Sequence, residues 1–547
     1  MIRTILKISI RNILKHKVYS AINVFGLALG FTAFILIGLF IQYELGWDQT
    51  NEHYDRIYRV QKQMVNTKQA IGGNDVSPHT RAITAQLLEK QFPEFEKITV
   101  IQESSGKYLS ETKERQVYSK LGIYADSCYL DVFTYHFVEG SPQGALLDPF
   151  SVLLSKSMAN KLFPAEKALG KTVSLEKKVD LKVVGVYSNL PENTSIRPDY
   201  IISFPTLAHI NGTKRNSSFS GDCMTFTLVK PGVDVKHLES KISKVFTVFK
   251  GLEFEELQLC PLKMVYLDYN GHGDYYVVLF LFGLIGIFIL IMSAFNYINL
   301  TTANASTRGK EVAMKKVSGS NRLELLIQFL GETVFISTLA LILAFALAKL
   351  FIPVFNSIIE KQLQLTLTDH WKFIGITTLL SLGIGLLSGI YPAIFLSSHK
   401  IISLFKGDVF GKESGKYSLK KVLVLSQFAI SVFLIIVTIA FSLQIRYLFQ
   451  KDVGFTKENL LYTRMTVSAK GVTYDQLRSR ILAHPEILNA SMSWHIPFVS
   501  FGGGMTNWEG GAPDEQVVCR FNTVSYDYLK NMGIELIDGR DFSRDFP

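Results

Sequence analysis

One stretch of the chain has the outline of a loop that cradles phosphate groups. Residues Ala165-x-x-x-x-Gly170-Lys171-Thr172 match the glycine-lysine-threonine end of that motif. Such a loop begins with glycine and follows a hydrophobic strand, because its backbone N–H groups must approach the phosphates closely. Here alanine stands first, and no hydrophobic strand leads into the loop. The stretch therefore does not predict a nucleotide site.

Histidine, acidic and cysteine side chains are the remaining candidates for chemistry. Asp268, His272 and Asp274 lie close together just before an apolar run. Such a triplet in a glycine-rich segment more often forms a solvated turn at a membrane surface than a metal site. A disulfide between the second and third cysteines and small buried thiols both fit the sequence. The four cysteines share no metal-type spacing: Cys128, Cys223, Cys260 and Cys519.

The composition indicates a membrane protein without catalytic groups of its own. Neither His-Glu-x-x-His nor Gly-x-Ser-x-Gly occurs, so no catalytic residue, metal or cofactor is expected. The 547 residues are 48% hydrophobic. About 20 apolar residues suffice for one helical span. Five runs reach that length: 20–45, 275–298, 324–350, 371–397 and 421–445.

The basic residues predict how these spans are oriented. The net charge is +10, but the excess of Lys and Arg lies in 1–19, 300–324 and 398–421, and the rest of the chain is close to neutral. This distribution argues against nucleic-acid binding. Basic loops remain in the cytoplasm. The N-terminus, the loop 299–323 and the linker 398–420 should therefore be cytoplasmic, and 46–274 and 446–547 should lie outside.

The N-terminal segment 1–19 is predicted to be an amphipathic helix on the inner membrane surface. Arg3, Lys7, Arg11 and Lys15 recur every four residues and so share one helical face. The apolar run that follows is too long for the core of a signal peptide, and no small-residue cleavage site follows it. We therefore expect an uncleaved membrane anchor.

Small and acidic residues within the spans predict where the helices meet. Gly26 and Gly30 allow close approach of a second helix, either within one subunit or in a dimer. Ser381, Gly385 and Gly389 form a similar face in the fourth span. Glu332 lies roughly 12 Å into the third span at 1.5 Å per residue. A carboxylate at that depth needs a partner, either the basic face of 3–15 or a buried polar group.

The two outside segments are predicted to be α+β domains. In 46–274, strand-like runs (57–65, 151–155, 181–187, 224–229) alternate with helix-like runs (78–91, 155–163, 235–249). Residues 446–547 repeat landmarks of this first domain. Asp452 and Tyr462 correspond to Asp48 and Tyr58, and the Tyr-Leu and acidic-Gly pairs recur at the same spacing. The spans and domains thus form an incomplete tandem repeat whose second outside domain is partial.

The loop between the second and third spans should contain a short charged helix, 302–319. Thr301 and Thr302 are suited to cap its start, and Gly319 to end it. Glu311 and Lys315 are spaced to pair on one face. On charge alone, an ordinary cytoplasmic loop is the simpler interpretation.

The order of residues in this loop carries a family resemblance. Arg308-x-x-Glu311-Val312-x-x-Lys315-Lys316-x-x-Gly319 resembles the FtsX-like permease domain of MacB-type ABC transporters. Gly389-x-Tyr391-Pro392-Ala393 resembles the same domain. The outside segment resembles the MacB periplasmic core domain at Leu169-Gly170-Lys171, Val184-Gly185-Val186 and 190–195 (Leu-Pro-Glu-Asn-Thr-Ser).

The resemblance implies a permease subunit in the bacterial inner membrane. The six residues quoted from the charged helix would contact a separate cytoplasmic ABC ATPase. Movement would pass through the spans to outside domains that act on a lipoprotein, peptide, drug or cell-envelope partner. A second permease subunit and a periplasmic adaptor are further partners that the resemblance allows. The alternative is a membrane-anchored receptor whose outside domains bind a ligand.

The predicted orientation can be tested by labelling engineered cysteines from outside, in a variant without the four native cysteines. Ser217→Cys should react with a membrane-impermeant maleimide in intact cells, because the basic loops hold 46–274 outside. Ser414→Cys should react only after the membrane is permeabilised. Reaction of Ser414→Cys in intact cells, with none at Ser217→Cys, would reverse the topology.

Overall fold

The structure is a computed structural model that separates into two compact units. A membrane unit comprises Met1–Leu45 and Tyr275–Gln450, and an α+β unit comprises Gly46–Asp274 and Lys451–Pro547. The residues that the structure describes are 10–12, 14–15, 17–64, 76–111, 115–164, 166–211, 223–246, 255–268, 274–307, 309–366, 368, 370–398, 419–463, 473–495, 502–506, 508, 510 and 517–546.

The predicted fold class is confirmed: among the described residues, five helices are long and apolar enough to cross a membrane, and they accompany α+β structure. Most of the linker 398–420 and of the N-terminal helix 1–19 lies outside the described residues, although residues 10–12 and 14–15 are helical. The five long helices are α1 (Lys17–Leu45), α8 (Asp274–Thr307), α10 (Arg322–Ile359), α11 (Trp371–Ser398) and α12 (Leu419–Gln450).

Helix α1 packs against three of the other long helices. Its buried face, which includes Leu27, Phe31 and Ile35, joins a core cluster with buried residues of α10. A side chain at Gly30 would overlap Ser293 of α8, and one at Gly38 would overlap the ring of Phe373 of α11. The glycines of α1 therefore serve contacts within this chain.

Helices α10 and α11 are held together by small residues and by hydroxyl groups. The Ser337 and Ser381 hydroxyls lie 2.8 Å apart, and each also donates to the carbonyl of the other residue. A Cβ atom at Gly385 would lie 2.9 Å from the Cα of Val334, and one at Gly389 would overlap Thr333. Lipid gives helices little hydrophobic reason to associate, so such close approach and hydrogen bonding stabilise the pair.

Helix α12 has few neighbours among the described residues. Its Ser431 hydroxyl lies 4.0 Å from the sulfur of Met292 in α8, and the ring of Phe433 lies 6.2 Å from that of Phe288. None of its most apolar 18-residue stretch is buried inside the protein. A helix that is apolar all round is suited to contact lipid.

The first α+β domain is built on one mixed sheet of 13 strands. The main strand order is β13-β1-β12-β3-β6-β11-β8-β10-β9-β4-β5; β2 pairs with β1, and β7 with β10. Pairs β6–β11 and β8–β10 are parallel. The strands are β1 (Ile57–Met64), β2 (Val76–Ser77), β3 (Phe95–Glu103), β4 (Lys107–Ser110), β5 (Gln116–Ser119), β6 (Gly122–Ala125), β7 (Phe137–Gly140), β8 (Ser151–Ser155), β9 (Thr172–Leu175), β10 (Val179–Tyr187), β11 (Tyr200–Ser203), β12 (Cys223–Val229) and β13 (Glu255–Pro261).

Helices cover both faces of this sheet. Residues alternate between the faces along β1: Val60 faces one apolar core and Ile57 the other. Residues of α2, α4 and α6 belong to the first core, and those of α3 and α7 to the second. These helices, with α5, are α2 (Ile83–Gln91), α3 (Tyr129–Val132), α4 (Lys156–Leu162), α5 (Phe204–Asn211), α6 (Val235–Ile242) and α7 (Leu262–Val265).

The strand-like and helix-like runs of the sequence locate these elements well. The four strand-like runs correspond to β1, β8, β10 and β12, and the three helix-like runs to α2, α4 and α6. Helix α2 begins at Ile83 instead of residue 78, because Thr80 forms a β-bridge with Cys223 and keeps the preceding residues extended. Ser155 caps α4 by accepting from the Met158 N–H.

The described residues of the second α+β region form a helix, a hairpin and a short helix. These are α13 (Tyr474–Leu482), β14–β15 (Gly502–Thr506 and Val517–Phe521) and α14 (Tyr528–Met532). In the first domain, the four strands β3–β6 lie between the corresponding helices α2 and α3. The Glu52 N–H donates to Thr134 Oγ1, just after α3, and the Thr456 N–H donates to the carbonyl of Met532, at the end of α14. The common origin of the two regions stays a prediction.

The α10–α11 contact predicts opposite effects for two glycine substitutions on one helix. Gly385→Ala should destabilise the membrane unit by about 1–3 kcal/mol, because its methyl group meets the backbone of Val334. Gly383→Ala is the matched control, since a Cβ there meets nothing within 4 Å; it should stabilise by up to about 1 kcal/mol through helix propensity. The measurement is thermal unfolding in detergent. Equal effects at both positions would contradict the packing.

Candidate functional site

The loop between α8 and α10 carries the short helix that the sequence predicts, but with different bounds. Helix α8 continues to Thr307, and the separate helix α9 spans Gly309–Val317. Thr301 and Thr302 were expected to cap the short helix. That expectation is wrong: both lie inside α8, and no Gly or Pro stands between them and the end of the helix at Thr307. Arg308 lies outside the described residues.

One side of α9 is packed against the long helices. Val312 and Ala313 are buried in a cluster with Leu325 and Phe329 of α10 and Ala393 of α11. A nine-residue helix is marginal by itself. Packing against α10 and α11 therefore fixes the position of α9. A displacement of α9 would disturb its contacts with α10.

The charged residues of α9 are mainly engaged within the chain. Lys315 Nζ donates to Glu311 Oε1 at 2.9 Å, as the i,i+4 spacing predicts, and to Gln328 Oε1 of α10 at 3.1 Å. Burial, and then the guanidinium of Arg322, lower the pKa of Lys316. Of the predicted contact residues, Lys315 thus bonds to α10, and Glu311 pairs with Lys315 within α9.

Helix α9 exposes two apolar side chains. Met314 is 58% exposed and Val317 is 68% exposed, and their i,i+3 spacing places them on one face. Gly319 follows in the left-handed conformation at φ +93° and ends the helix region. Sequence reasoning missed Met314, since charge drew attention to the other face.

Glu332 meets a polar side chain from the N-terminal segment. It is buried in α10, and its Oε2 accepts from Asn12 Nδ2 at 3.2 Å. Of the two partners considered for this carboxylate, the structure thus shows a polar amide. Arg3 and Lys7, of the basic face, lie outside the described residues.

Trp47 and Asp48 lie just after α1 and make several close contacts within the first α+β domain. We call these contacts the Asp48 joint. The ring of Trp47 stacks on that of Tyr266, near the other end of the domain's chain, at a centroid distance of 3.5 Å. Asp48 Oδ1 accepts from the Ser195 N–H at 2.9 Å, and the Ser195 hydroxyl donates to Oδ2. Asn193 Nδ2 donates to the carbonyl of Gly46 at 3.0 Å. The first three residues after α1 are therefore each bound by other residues of the domain.

Asp48 is costly in itself, which points to a specific role. Its backbone is left-handed at φ 60°, a conformation that few residues other than glycine adopt. Burial raises the pKa of Asp48, and the two hydrogen bonds from Ser195 offset part of the rise. Sequence reasoning identified Asp48 and the 190–195 segment separately. Only the fold joins them, 147 residues apart.

The lysine of the phosphate-loop-like segment and two of the cysteines make contacts that are typical of structural residues. Lys171 pairs with Glu166 and lies 4.9 Å over the ring of Phe163, so the loop that resembles a phosphate site occupies its own lysine. Cys223 and Cys260 are buried and form no disulfide, and burial raises the pKa of Cys260 to about 11. Within the described residues, no cluster of three His, Cys, Asp or Glu side chains could hold a metal. His272 and the side chain of Cys519 lie outside them.

Comparison with protein families matches two descriptions. Residues 20–245 match the MacB-like periplasmic core domain, and residues 283–401 match the FtsX-like permease C-terminal domain. Together these matches span more than half of the chain. The first match includes Asp48 and Ser195, and the second includes helix α9. A comparison with curated proteins gave no match.

Three solved structures are similar to part of this chain. A domain of a protein from Porphyromonas gingivalis, described as a permease, is 20% identical over 39% of this chain and 91% of its own, with a TM-score of 0.34. The MacB periplasmic region from Actinobacillus actinomycetemcomitans is 17% identical over 37% and 87%, with a TM-score of 0.28. The extracellular domain of the noncanonic ABC-type transporter YknZ from Gram-positive bacteria is 16% identical over 37% and 98%, with a TM-score of 0.29.

The joint predicts a pH-dependent loss of stability in Ser195→Ala. Because the folded state raises the pKa of Asp48 above 3.8, the native protein holds this proton more tightly than the unfolded chain. Ionisation of Asp48 therefore costs stability as pH rises above that value. Removing a hydroxyl donor from the buried carboxylate should cost about 1–3 kcal/mol at pH 7 and less at pH 4.

Urea unfolding followed by the fluorescence of Trp47, with the other three tryptophans replaced by phenylalanine, measures this effect. Ser141→Ala, at an exposed turn, is the control and should change stability by less than about 0.5 kcal/mol at both pH values. An equal loss in Ser195→Ala at pH 4 and pH 7 would show that the Asp48 charge is not what Ser195 supports.

Proposed function

Because this chain belongs to the MacB/FtsX-like family of ABC transporter permeases, we propose that it is a permease subunit that couples ATP hydrolysis by a separate cytoplasmic ATPase to movement of its α+β domains. The α+β domains would face the periplasm of a bacterium, with the five long helices in the inner membrane. They would act on a lipoprotein, peptide, drug or cell-envelope partner.

The observation that carries this proposal is the two-sided character of α9. Val312 and Ala313 are buried against α10 and α11, while Met314 and Val317 are exposed. A soluble partner that binds the exposed side would therefore act on two long helices through the buried side. Exposed apolar side chains at the end of a membrane bundle are also the kind of groups that protein interfaces bury.

The path beyond α9 follows contacts within the membrane unit. Lys315 ties α9 to Gln328 near the start of α10, and α10 packs along α1. Helix α1 continues directly into Trp47 and Asp48 of the first α+β domain. The presence of α9 supports mechanical coupling over a receptor, since a receptor has no need of a docking helix between its second and third spans.

The proposal predicts that acidic substitutions on the exposed face of α9 prevent ATPase binding. Met314→Glu and Val317→Glu should each change stability by less than about 0.5 kcal/mol, because both side chains are exposed. Each should weaken co-purification of the cognate ATPase, and its stimulated turnover, at least about tenfold by placing a charge in an apolar contact. Leu147→Glu, at a leucine that is 60% exposed in the α+β domain, is the control.

Two charge reversals separate the apolar face from the charged one. If the partner reads charge on α9, Glu311→Lys and Arg308→Glu will abolish binding while membrane insertion stays near normal. If those variants bind normally while Met314→Glu does not, the apolar face alone is the docking surface. Normal binding and turnover in all four variants would remove the ATPase proposal and favour the receptor.

A further inference from the structure

We infer that residues 360–366, 368 and 370, which lie between α10 and α11, form a brace that fixes the C-terminal end of α1 to α10. The brace would carry movement of α10 to the chain that enters the first α+β domain. This inference rests on the proposed function, because it names the positioning residues through which that function would pass. Its central contact is the ion pair between Glu44 and Lys361.

Glu44 is an acidic side chain placed where burial is complete. It is the second-last residue of α1 and is 0% exposed. Its two carboxylate oxygens accept no hydrogen bond from the described residues, and the Lys361 ammonium lies 3.6 Å from Oε1. Well-packed apolar residues often replace such a pair without loss of stability. A buried pair of this kind therefore points to a role in holding a particular arrangement of the helices.

Lys361 is held rigidly in front of Glu44. Helix α10 ends at Ile359, and Glu360 adopts the left-handed conformation at φ 53° although it is not glycine. Asn356 then fastens the turn: its side chain bonds to both the N–H and the carbonyl of Leu363, at 3.1 and 3.0 Å. Leu363 is itself buried in the core shared by α1 and α10. Non-glycine residues in this conformation persist only where the surroundings enforce it.

A second polar contact fixes the far end of the same segment. His370 Nδ1 lies 3.2 Å from Gln42 Oε1, within one turn of Glu44 on α1. The connection therefore touches the end of α1 through Lys361 at its beginning and through His370 at its end. Two directional contacts, with buried Leu363 between them, resist both rotation and sliding of α1 against α10.

Apolar packing alone would not provide that resistance. Most of the α1–α10 contact consists of aliphatic and small side chains, such as Leu27, Ala340 and Ala344. Lipid provides similar contacts, so such a surface allows one helix to slide along another at low cost. The ion pair adds a fixed point two residues before Gly46. A displacement of α10 that begins at α9 would then move the end of α1 as well.

The test uses the full chain in nanodiscs with the ATPase that co-purifies with it. Hydrogen exchange of residues 46–274 is measured without nucleotide and with ATP plus vanadate. Glu44→Leu combined with Lys361→Leu should bind the ATPase within about twofold of the wild-type affinity, because α9 is unchanged. The ATP-dependent change in exchange should fall at least about threefold, since coupling through a lost positioning contact weakens by such factors.

Two further variants control for folding and for charge. Lys349→Leu removes an exposed lysine from α10, twelve residues before Lys361, and should leave the ATP-dependent change intact. Glu44→Lys combined with Lys361→Glu restores a pair in reverse and should recover most of the change, which serves as the test if the leucine pair fails to fold.

The outcomes separate the brace from the proposed function. If the wild-type chain shows the ATP-dependent change and the leucine pair retains it in full, the brace is overturned and the coupling function stands. If the wild-type chain binds no ATPase or shows no change, the coupling function is overturned and the brace with it. Loss in the leucine pair together with recovery in the charge reversal supports the brace.

Discussion

The packing of α1 against α10 is the contact on which the rest of the membrane unit depends. It buries Leu27, Phe31 and Ile35 against a row of small and branched residues, and both α8 and α11 add to its sides. Helix α9 rests on the start of α10, and the first α+β domain begins where α1 ends. Helix α10 thus connects α9 to α1, while α8 runs from the end of residues 46–274 to the start of α9.

Close approach in this unit depends on the absence of side chains as much as on their presence. Gly385 and Gly389 bring α11 close to α10, which allows the Ser337 and Ser381 hydroxyls to bond across the contact. A hydroxyl in lipid has no water to bond to, so it satisfies itself on a backbone carbonyl or on a partner helix. These polar contacts give direction to surfaces that would otherwise be smooth and apolar.

Buried ionisable groups mark the places where elements are joined. Glu332 accepts from Asn12, Glu44 faces Lys361, and Asp48 accepts from Ser195. Each brings together segments far apart in the chain, and each carries the cost of removing a carboxylate from water. A fold that needed only stability would use apolar residues at such positions. The three carboxylates thus favour particular arrangements of the helices and of the domain that α1 enters.

The sequence by itself determined the elements of this protein. Runs of about 20 apolar residues have few alternatives to a membrane helix, and short strand-like runs place β8 and β10 nearly to the residue, since both signals are local in the sequence. Motif order also located α9 and its Glu311–Lys315 pair. The tertiary structure decided which face of α9 is free: Lys315 turns towards Gln328, and Met314 is left exposed. It alone brought Asp48 to Ser195 and Glu44 to Lys361. Contacts across 147 or more residues depend on how whole elements pack, and no local pattern of residue types records that.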